Sequence, residues 1–370
     1  MSGYRELPPE ELLARALGHR PVEPSVTRWD RIGPEAAEEL VRRAVPTVVE
    51  LHTSGSTGPS APWRRTRGQL WTEGGMLADL VRADRPQAVL SFAPPAHLYG
   101  LLATALLPAV LGLPVCFCPR YGLPAPPVDA QRWLIVAIPW AFPVLLRDLS
   151  VLGRPDHVTV LHSTATLPAT AHDFAAALGA ERLRLVELFG STETALIAHR
   201  EWSPDPGAWT LMPDVRFADD PAGPGPVGER PLSVSGPRLA LTAEGRPMES
   251  WTTDDYVEHL DDRRFLFRGR RHRLIKVNGR RIDLDLLEER LRAALPGTDL
   301  ACRPVADRLR GEQVELLVAA PADPALVARR TTDCLRELGI TIGRISMVDT
   351  IDRSEVGKRL ADATDREERP

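Results

Sequence analysis

Six consecutive residues, Thr53-Ser54-Gly55-Ser56-Thr57-Gly58, offer only hydroxyls, glycines and backbone, and they follow the apolar run Val48-Val49-Glu50-Leu51. Small residues let backbone N–H groups close on an anion, and hydroxyls add donors, so a strand running into such a loop suits phosphate. Loops of this composition are also common as plain turns, and the weight comes from three later segments. Phe189-Gly190-Ser191-Thr192-Glu193-Thr194 supplies an aromatic ring, hydroxyls and a carboxylate. Thr253-Asp254-Asp255, followed by Gly269-Arg270, adds carboxylates and a cation. Gly357-Lys358 adds a further cation. Each segment supplies a part that a nucleotide-activating enzyme needs.

Elements must position these groups, and 370 residues are enough for two domains. Apolar runs at Val48–Leu51, Ala88–Phe92, Pro114–Cys118, Leu134–Ala137, Val158–His162 and Leu185–Leu188 read as strands. Helical stretches at Gly68–Arg82, Leu101–Leu111 and Ala169–Leu178 alternate with them, which predicts an α/β domain around a mainly parallel sheet. Residues 1–45 read as helical and peripheral. Residues 202–270 turn Pro- and Gly-rich and predict a small β-rich subdomain, with short strands at Leu232–Ser235 and Leu239–Leu241. Beyond residue 270, strands at Leu274–Val277, Val314–Ala319 and Ile345–Val348 flank helices at Ile282–Leu295 and Ala325–Leu338. The predicted organisation is an N-terminal domain over 1–270, a hinge at 271–272 and a small α+β domain over 273–370.

Composition excludes several classes. A net charge of -4 gives no electrostatic reason to bind nucleic acid. The stretch Leu98–Cys118 is broken by Pro108 and Pro114 and reads as buried helix and strand, so no membrane span is expected. The four cysteines form no zinc pattern, and Cys116-Phe117-Cys118 reads as a reduced buried strand. With no apolar signal segment at the start, the expectation is a cytoplasmic protein.

The order and spacing of the four segments resemble the adenylate-forming superfamily of acyl-CoA synthetases, aryl acid ligases and peptide-synthetase adenylation domains, over residues 46–362. The short stretch before the phosphate loop makes the resemblance closest to compact ligases of aryl-polyene and polyketide pathways. It implies a large ATP- and acid-binding domain and a mobile C-terminal lid. Loop 53–58 would then hold the β- and γ-phosphates, with Thr57 and Glu193 at Mg2+. Phe189 would stack on adenine beside Gly190 and Ser191, and Thr192 would meet the α-phosphate. Asp255 would take the ribose hydroxyls and Arg270 the ribose or phosphate.

The family loop continues Gly-x-Pro-Lys, whereas here Gly58-Pro59-Ser60-Ala61-Pro62-Trp63-Arg64-Arg65 has no lysine at that place. In a subset of these ligases the basic residue comes later, so Arg65, or Arg64, is expected to pair with phosphate. Ala93-Pro94-Pro95-Ala96-His97-Leu98-Tyr99-Gly100 corresponds to the junction of the carboxylate and ATP sites. His97, Tyr99 and Gly100 would line the acid pocket with Ala165 and Leu188. Ala93 and Pro94 stand where peptide synthetases place an Asp for an α-ammonium, which argues against an α-amino acid. His162-Ser163-Thr164-Ala165 matches the adenine-facing segment through Ser163 and Thr164, and the same two residues are also candidate helix N-caps.

Arg271-His272 marks the hinge by resemblance, and Lys276 to Gly279 the loop that builds the thiol tunnel. Lys358 would bridge the acid carboxylate and the α-phosphate. The implied reaction joins an aryl, unsaturated or fatty acid to AMP, then passes it to CoA or to the phosphopantetheine arm of an acyl carrier protein. Transfer to an amine, and nucleotide binding without catalysis, remain as alternatives.

Overall fold

A strand buried on both faces of a sheet is apolar wherever a polar side chain has no buried partner, and two segments are buried at every position. In the computed structural model, every residue of β5 (Ala88–Ser91) and of β6 (Pro114–Phe117) is buried. The structure describes residues 3–52, 62–119, 124–164, 167–203, 207–218, 228–242, 244–270, 273–277, 280–307, 311–319, 323–338 and 343–351. Ahead of β5 come β1 (Arg5–Glu6), β2 (Ser25–Arg28), β3 (Val48–His52) and β4 (Pro62–Thr66). After β6 come β7 (Arg132–Ala137), β8 (His157–His162) and β9 (Leu183–Ser191). These three extend the parallel sheet in the order β6-β5-β7-β8-β9.

The sheet then reverses. β10 (Ala195–Glu201) pairs antiparallel with β9 across a turn at residues 192–194. β11 (Trp209–Leu211), β12 (Arg216–Phe217), β13 (Glu229–Ser235), β14 (Trp251–His259) and β15 (Arg264–Arg270) continue it antiparallel, giving thirteen strands along one path among the described residues. The β content expected over 202–270 is therefore present, and it is hydrogen-bonded into the large sheet. A second sheet holds β16 (Leu274–Val277), β17 (Arg280–Asp283), β18 (Leu300–Asp307), β19 (Gly311–Ala319) and β20 (Arg344–Val348).

The helices are α1 (Pro9–Leu17), α2 (Pro34–Ala44), α3 (Arg67–Arg82), α4 (Leu98–Gly100), α5 (Leu107–Leu111), α6 (Ala141–Arg147), α7 (Ala169–Leu178), α8 (Leu284–Ala294) and α9 (Pro324–Leu338). A fully buried π-helical segment, Leu101–Leu106, joins α4 to α5. Two separate apolar cores result. One runs from Tyr4 to Phe265, and the other from Ile275 to Leu335 under α8 and α9. No helix among the described residues is long and apolar enough to cross a membrane. Cys116 and Cys118 are buried free thiols, and burial pushes the Cys116 pKa up to about 12.

Three expectations need correction. Val48–Leu51 is a strand, but among the described residues β3 pairs with β4 alone, in a two-stranded ribbon on either side of residues 53–61. Its exposure alternates, with Val48 43% exposed and Val49 and Leu51 buried, which is the pattern of a strand wet on one face. Residues 1–45 are not wholly helical or peripheral, since β2 pairs with β6 at the sheet edge and Leu12, Leu13 and Trp29 are buried. Leu239–Leu241 forms no strand, only isolated bridges from Leu241 to Arg64 and Pro247.

Candidate functional site

The turn between β9 and β10 carries the longest motif. Its ends are drawn so close that a Cβ on Gly190 would stand 2.1 Å from the Ala195 carbonyl oxygen, so only glycine fits. Ala195 completes the reversal with φ 66°, a left-handed backbone rare outside glycine. Ser191 and Thr194 brace the turn: their hydroxyls lie 2.9 Å apart, and the Ser191 N–H donates to Thr194 Oγ1 at 3.1 Å. With those two occupied, Thr192 and Glu193 are half-buried with no side-chain hydrogen bond to another described residue, and the Glu193 charge acts on the buried Arg65 guanidinium. A hydroxyl and a carboxylate adjacent in sequence fit the phosphate oxygen and divalent cation that the motif implies.

Phe189 enters this turn from an aromatic cluster. Its ring centroid lies 5.1 Å from Trp209, 5.8 Å from Phe265 and 5.9 Å from Phe267. Edge-on neighbours at such distances fix a ring while leaving a face for another flat group. Arg200 sits 4.4 Å over Trp209 and binds Glu187 at 2.6 Å, which anchors the cluster to β9. β15 supplies two of these rings and ends at Arg270. The expected ribose pair is a cross-strand pair: Asp255 opposes Arg270, and Arg270 Nε donates to Asp255 Oδ1 at 3.0 Å. Burial works against the Arg270 charge, but Asp255 and Asp285 outweigh it and raise its pKa.

The second group gathers at the carboxyl ends of the parallel strands. Here β5 lies between β6 and β7, so the chain leaves β5 toward one side and returns on the other, the crevice where open α/β sheets bind ligands. Half-buried His97 immediately precedes α4 in the loop that leaves β5. Tyr99 follows it, and its hydroxyl donates to the Leu161 carbonyl at 2.8 Å, tying α4 to the end of β8. Burial raises the Tyr99 pKa and keeps that donor protonated. Gly100 is buried against the loop, and a Cβ there would stand 1.8 Å from the Pro94 oxygen. The Trp140 ring, after β7, meets Phe92 at 5.5 Å.

Ser163 and Thr164 follow β8. Ser163 Oγ donates to the Leu188 carbonyl at 3.4 Å, while the Leu188 side chain is buried in the core. Thr164 has φ 84°, a strained backbone of the kind that gathers at sites. Neither residue caps a helix, because α7 begins at Ala169 with Pro168 before it.

Arg65 overturns its expected role as a phosphate ligand. The side chain is 0% exposed, and its guanidinium donates to the Thr192 carbonyl at 3.1 and 2.8 Å and to the Arg238 carbonyl at 2.6 Å. A fork sealed from solvent, with three N–H groups on backbone oxygens, has no open face for phosphate. The motif reading also missed Glu73 and Arg238, which meet Arg65, and Asp214, which pairs with Arg238. The available signal was Gln69 and Glu73, four residues apart on α3 and therefore on one face.

Thr53 to Gly58 (with Thr57), Ala165, Arg271, His272, Gly279 and Lys358 lie outside the described residues, as does the side chain of Lys276. Among the described residues, no group of three or more His, Cys, Asp or Glu is placed to hold a metal ion.

Comparison with known proteins places this arrangement. No protein-family profile matches the chain. The chain is 32% identical over 323 residues to 4-coumarate–CoA ligase of Rhodobacter capsulatus, covering 83% of this chain and 73% of that protein. It is 28% identical over 321 residues to sulfoacetate–CoA ligase of Cupriavidus necator, covering 78% of this chain and 60% of that protein. Among solved structures, O-succinylbenzoate coenzyme A synthetase of Bacillus subtilis with AMP matches at a TM-score of 0.66 and 17% identity, over 84% of this chain and 67% of that one. An ATP-bound chimera of RpMatB and BxBclM matches at 0.64 and 20%, over 83% of this chain and 65% of that one. The chain thus spans about two thirds of the length of the solved structures it matches. Identity at this level over most of both proteins, with the same fold beneath it, makes the chain a member of the AMP-forming acyl-CoA synthetase and acid ligase superfamily.

Proposed function

We propose that the protein activates a carboxylic acid with ATP and hands the acyl group to a thiol. A carboxylate oxygen attacks the α-phosphorus, pyrophosphate leaves, and acyl-AMP forms. The thiolate then attacks the acyl carbon and AMP leaves. The observation that carries this reading is the β9–β10 turn, which sets half-buried Thr192 and Glu193 beside the Phe189 cluster, in a chain related to CoA ligases. Thr192 would bind the α-phosphate, and Glu193 with Thr57 would hold Mg2+, which neutralises phosphate charge. Asp255 and Arg270 would take the ribose. Lys358, on a lid formed by residues 273–370 that turns about 271–272, would offset charge at the reacting carboxylate. Positioning and charge neutralisation supply the catalysis, so no covalent enzyme intermediate is needed.

His97, Tyr99 and Trp140, the last backed by the buried Phe92 ring, lie at the carboxyl ends of β5 and β7 and suit a flat acid. An aryl or unsaturated acid is thus favoured over a fatty one, in line with the 4-coumarate named for one relative. The acceptor is the phosphopantetheine thiol of a carrier protein or CoA. Buried reduced cysteines suit the cytoplasm. The burial of Arg65 removes one cation from the phosphate loop and favours a second reading, nucleotide binding without turnover.

Pyrophosphate release from Mg·ATP across aryl, unsaturated and fatty acids separates the two. The ligase reading expects acid-dependent release that falls at least about a hundredfold in Lys358→Ala. Silence across the panel with ATP still bound would establish the second reading.

A further inference from the structure

We infer that Arg65 is a positioning residue for Glu193, acting through the backbone of the β9–β10 turn from inside a buried network with Glu73, Arg238 and Asp214. The direction of the Glu193 side chain is set by the two peptide planes that flank its Cα. Both planes are held. Arg65 takes the Thr192 carbonyl with two N–H groups, at 3.1 and 2.8 Å, which fixes the plane before Glu193. The Ala240 N–H donates to the Glu193 carbonyl at 2.9 Å, which fixes the plane after it. Arg65 also takes the Arg238 carbonyl at 2.6 Å, two residues before Ala240, so one guanidinium ties both holding points together.

The far end of the turn is held by the same network. Leu196 N–H donates to Glu73 Oε1 at 2.7 Å, and Arg238 Nη2 donates to the Leu196 carbonyl at 2.8 Å. Arg238 in turn grips Asp214 through both carboxylate oxygens, at 2.7 and 2.8 Å. Glu73 lies 3.8 Å from Arg65 Nη1 and 3.6 Å from Arg238 Nη1. Two cations and two carboxylates balance, which makes their burial tolerable. Glu73 and Arg238 are only 1% and 2% exposed. Apolar residues of similar volume would serve the core as well or better. What they would not supply is three N–H donors in a rigid fork aimed at two carbonyls. The network is therefore fitted to the turn's geometry rather than to the core's stability.

The kinetic arm of the test rests on the ligase reading, and the exchange arm does not. Arg65→Lys keeps the charge and loses the fork. Glu73→Gln keeps an acceptor for the Leu196 N–H and loses the charge. Hydrogen exchange over residues 190–196 is measured in the ligand-free protein, together with melting temperature and steady-state pyrophosphate release. Arg65→Lys is expected to speed exchange in that turn about tenfold while β5 to β8 stay protected. It is expected to lower kcat about tenfold with the acid KM unchanged. Glu73→Gln should shift both in the same direction by less.

Wild-type exchange and kcat in Arg65→Lys would overturn the proposal. So would exchange rising equally across the parallel strands with a fallen melting temperature, because that is support of the core alone. Should Arg65→Lys fail to fold, Glu73→Gln decides on the same readouts. Should the wild-type protein release no pyrophosphate, the ligase reading fails, and exchange alone judges Arg65.

Discussion

At the scale of single residues, burial decides what a titratable group does. Arg65 and Arg270 are both arginines beside the motif, yet one is sealed against backbone carbonyls and the other meets Asp255 where a ligand can reach. His162 shows the same logic in the acid range. It lies at the end of β8 against Phe142, and burial lowers its pKa from 6.5 to about 3. The folded state therefore favours the neutral ring and the unfolded state binds the proton more readily. Stability from this group is complete above about 6.5 and is lost as pH falls toward 3, by up to ~1.4 kcal/mol per pH unit. Burial lowers His157, His199 and His259 as well, so they steepen the same limb. Urea unfolding followed from pH 7 to 4 should show a shallower fall in His162→Gln than in wild type; parallel curves would show that the ring does not stay neutral.

At the scale of elements, the loop that brings His97 to the sheet depends on a hydroxyl pair. Thr104, in the π-helical segment, lies 2.6 Å from Ser91 Oγ and donates to the Ala93 carbonyl at 2.8 Å. Ser91 Oγ also accepts the Ala93 N–H at 3.2 Å. Thr104→Val keeps the volume and leaves the Ala93 carbonyl buried without that donor, a cost of about 1–3 kcal/mol. The expected result is a lower urea midpoint and a raised KM for the acid, with KM for ATP little changed. An unchanged acid KM would detach this pair from the site. Elements buried on both faces were legible in the chain, because Ala88–Ser91 and Pro114–Phe117 admit no other placement. β2 was not, because Ser25-Val26-Thr27-Arg28 is short and polar at three of its four positions and becomes a strand by joining β6. The turn at 191–194 was legible from its residue types. Its support was not, since the carbonyls that hold Arg65 lie 127 and 173 positions away.

At the scale of the molecule, two cores share one chain. The larger holds the Phe189 turn, the Asp255–Arg270 pair and the carboxyl ends of the parallel strands, all on one continuous sheet. The smaller is built on its own sheet by Ile275, Leu287, Leu291, Leu300, Leu316 and their neighbours. Separate cores unfold separately unless their interface is large. Calorimetry should therefore resolve two transitions, the smaller assigned to residues 273–351 by hydrogen exchange. A single transition would mean that the two cores unfold as one unit. The hairpin at Gly190–Ala195 finally bears on which chain lengths this architecture tolerates. Strands joined by crossovers can gain or lose residues in surface stretches such as that around Gly153, where an added Cβ meets open space. Between Ser191 and Ala195 there is no such slack. One inserted residue would swap the faces of β10 where Ala195 to Ala198 are all buried, so each would have to repack against the opposite side of the sheet. Lineages and engineers alike can vary the length of this protein almost anywhere more cheaply than at the seam where its sheet changes direction.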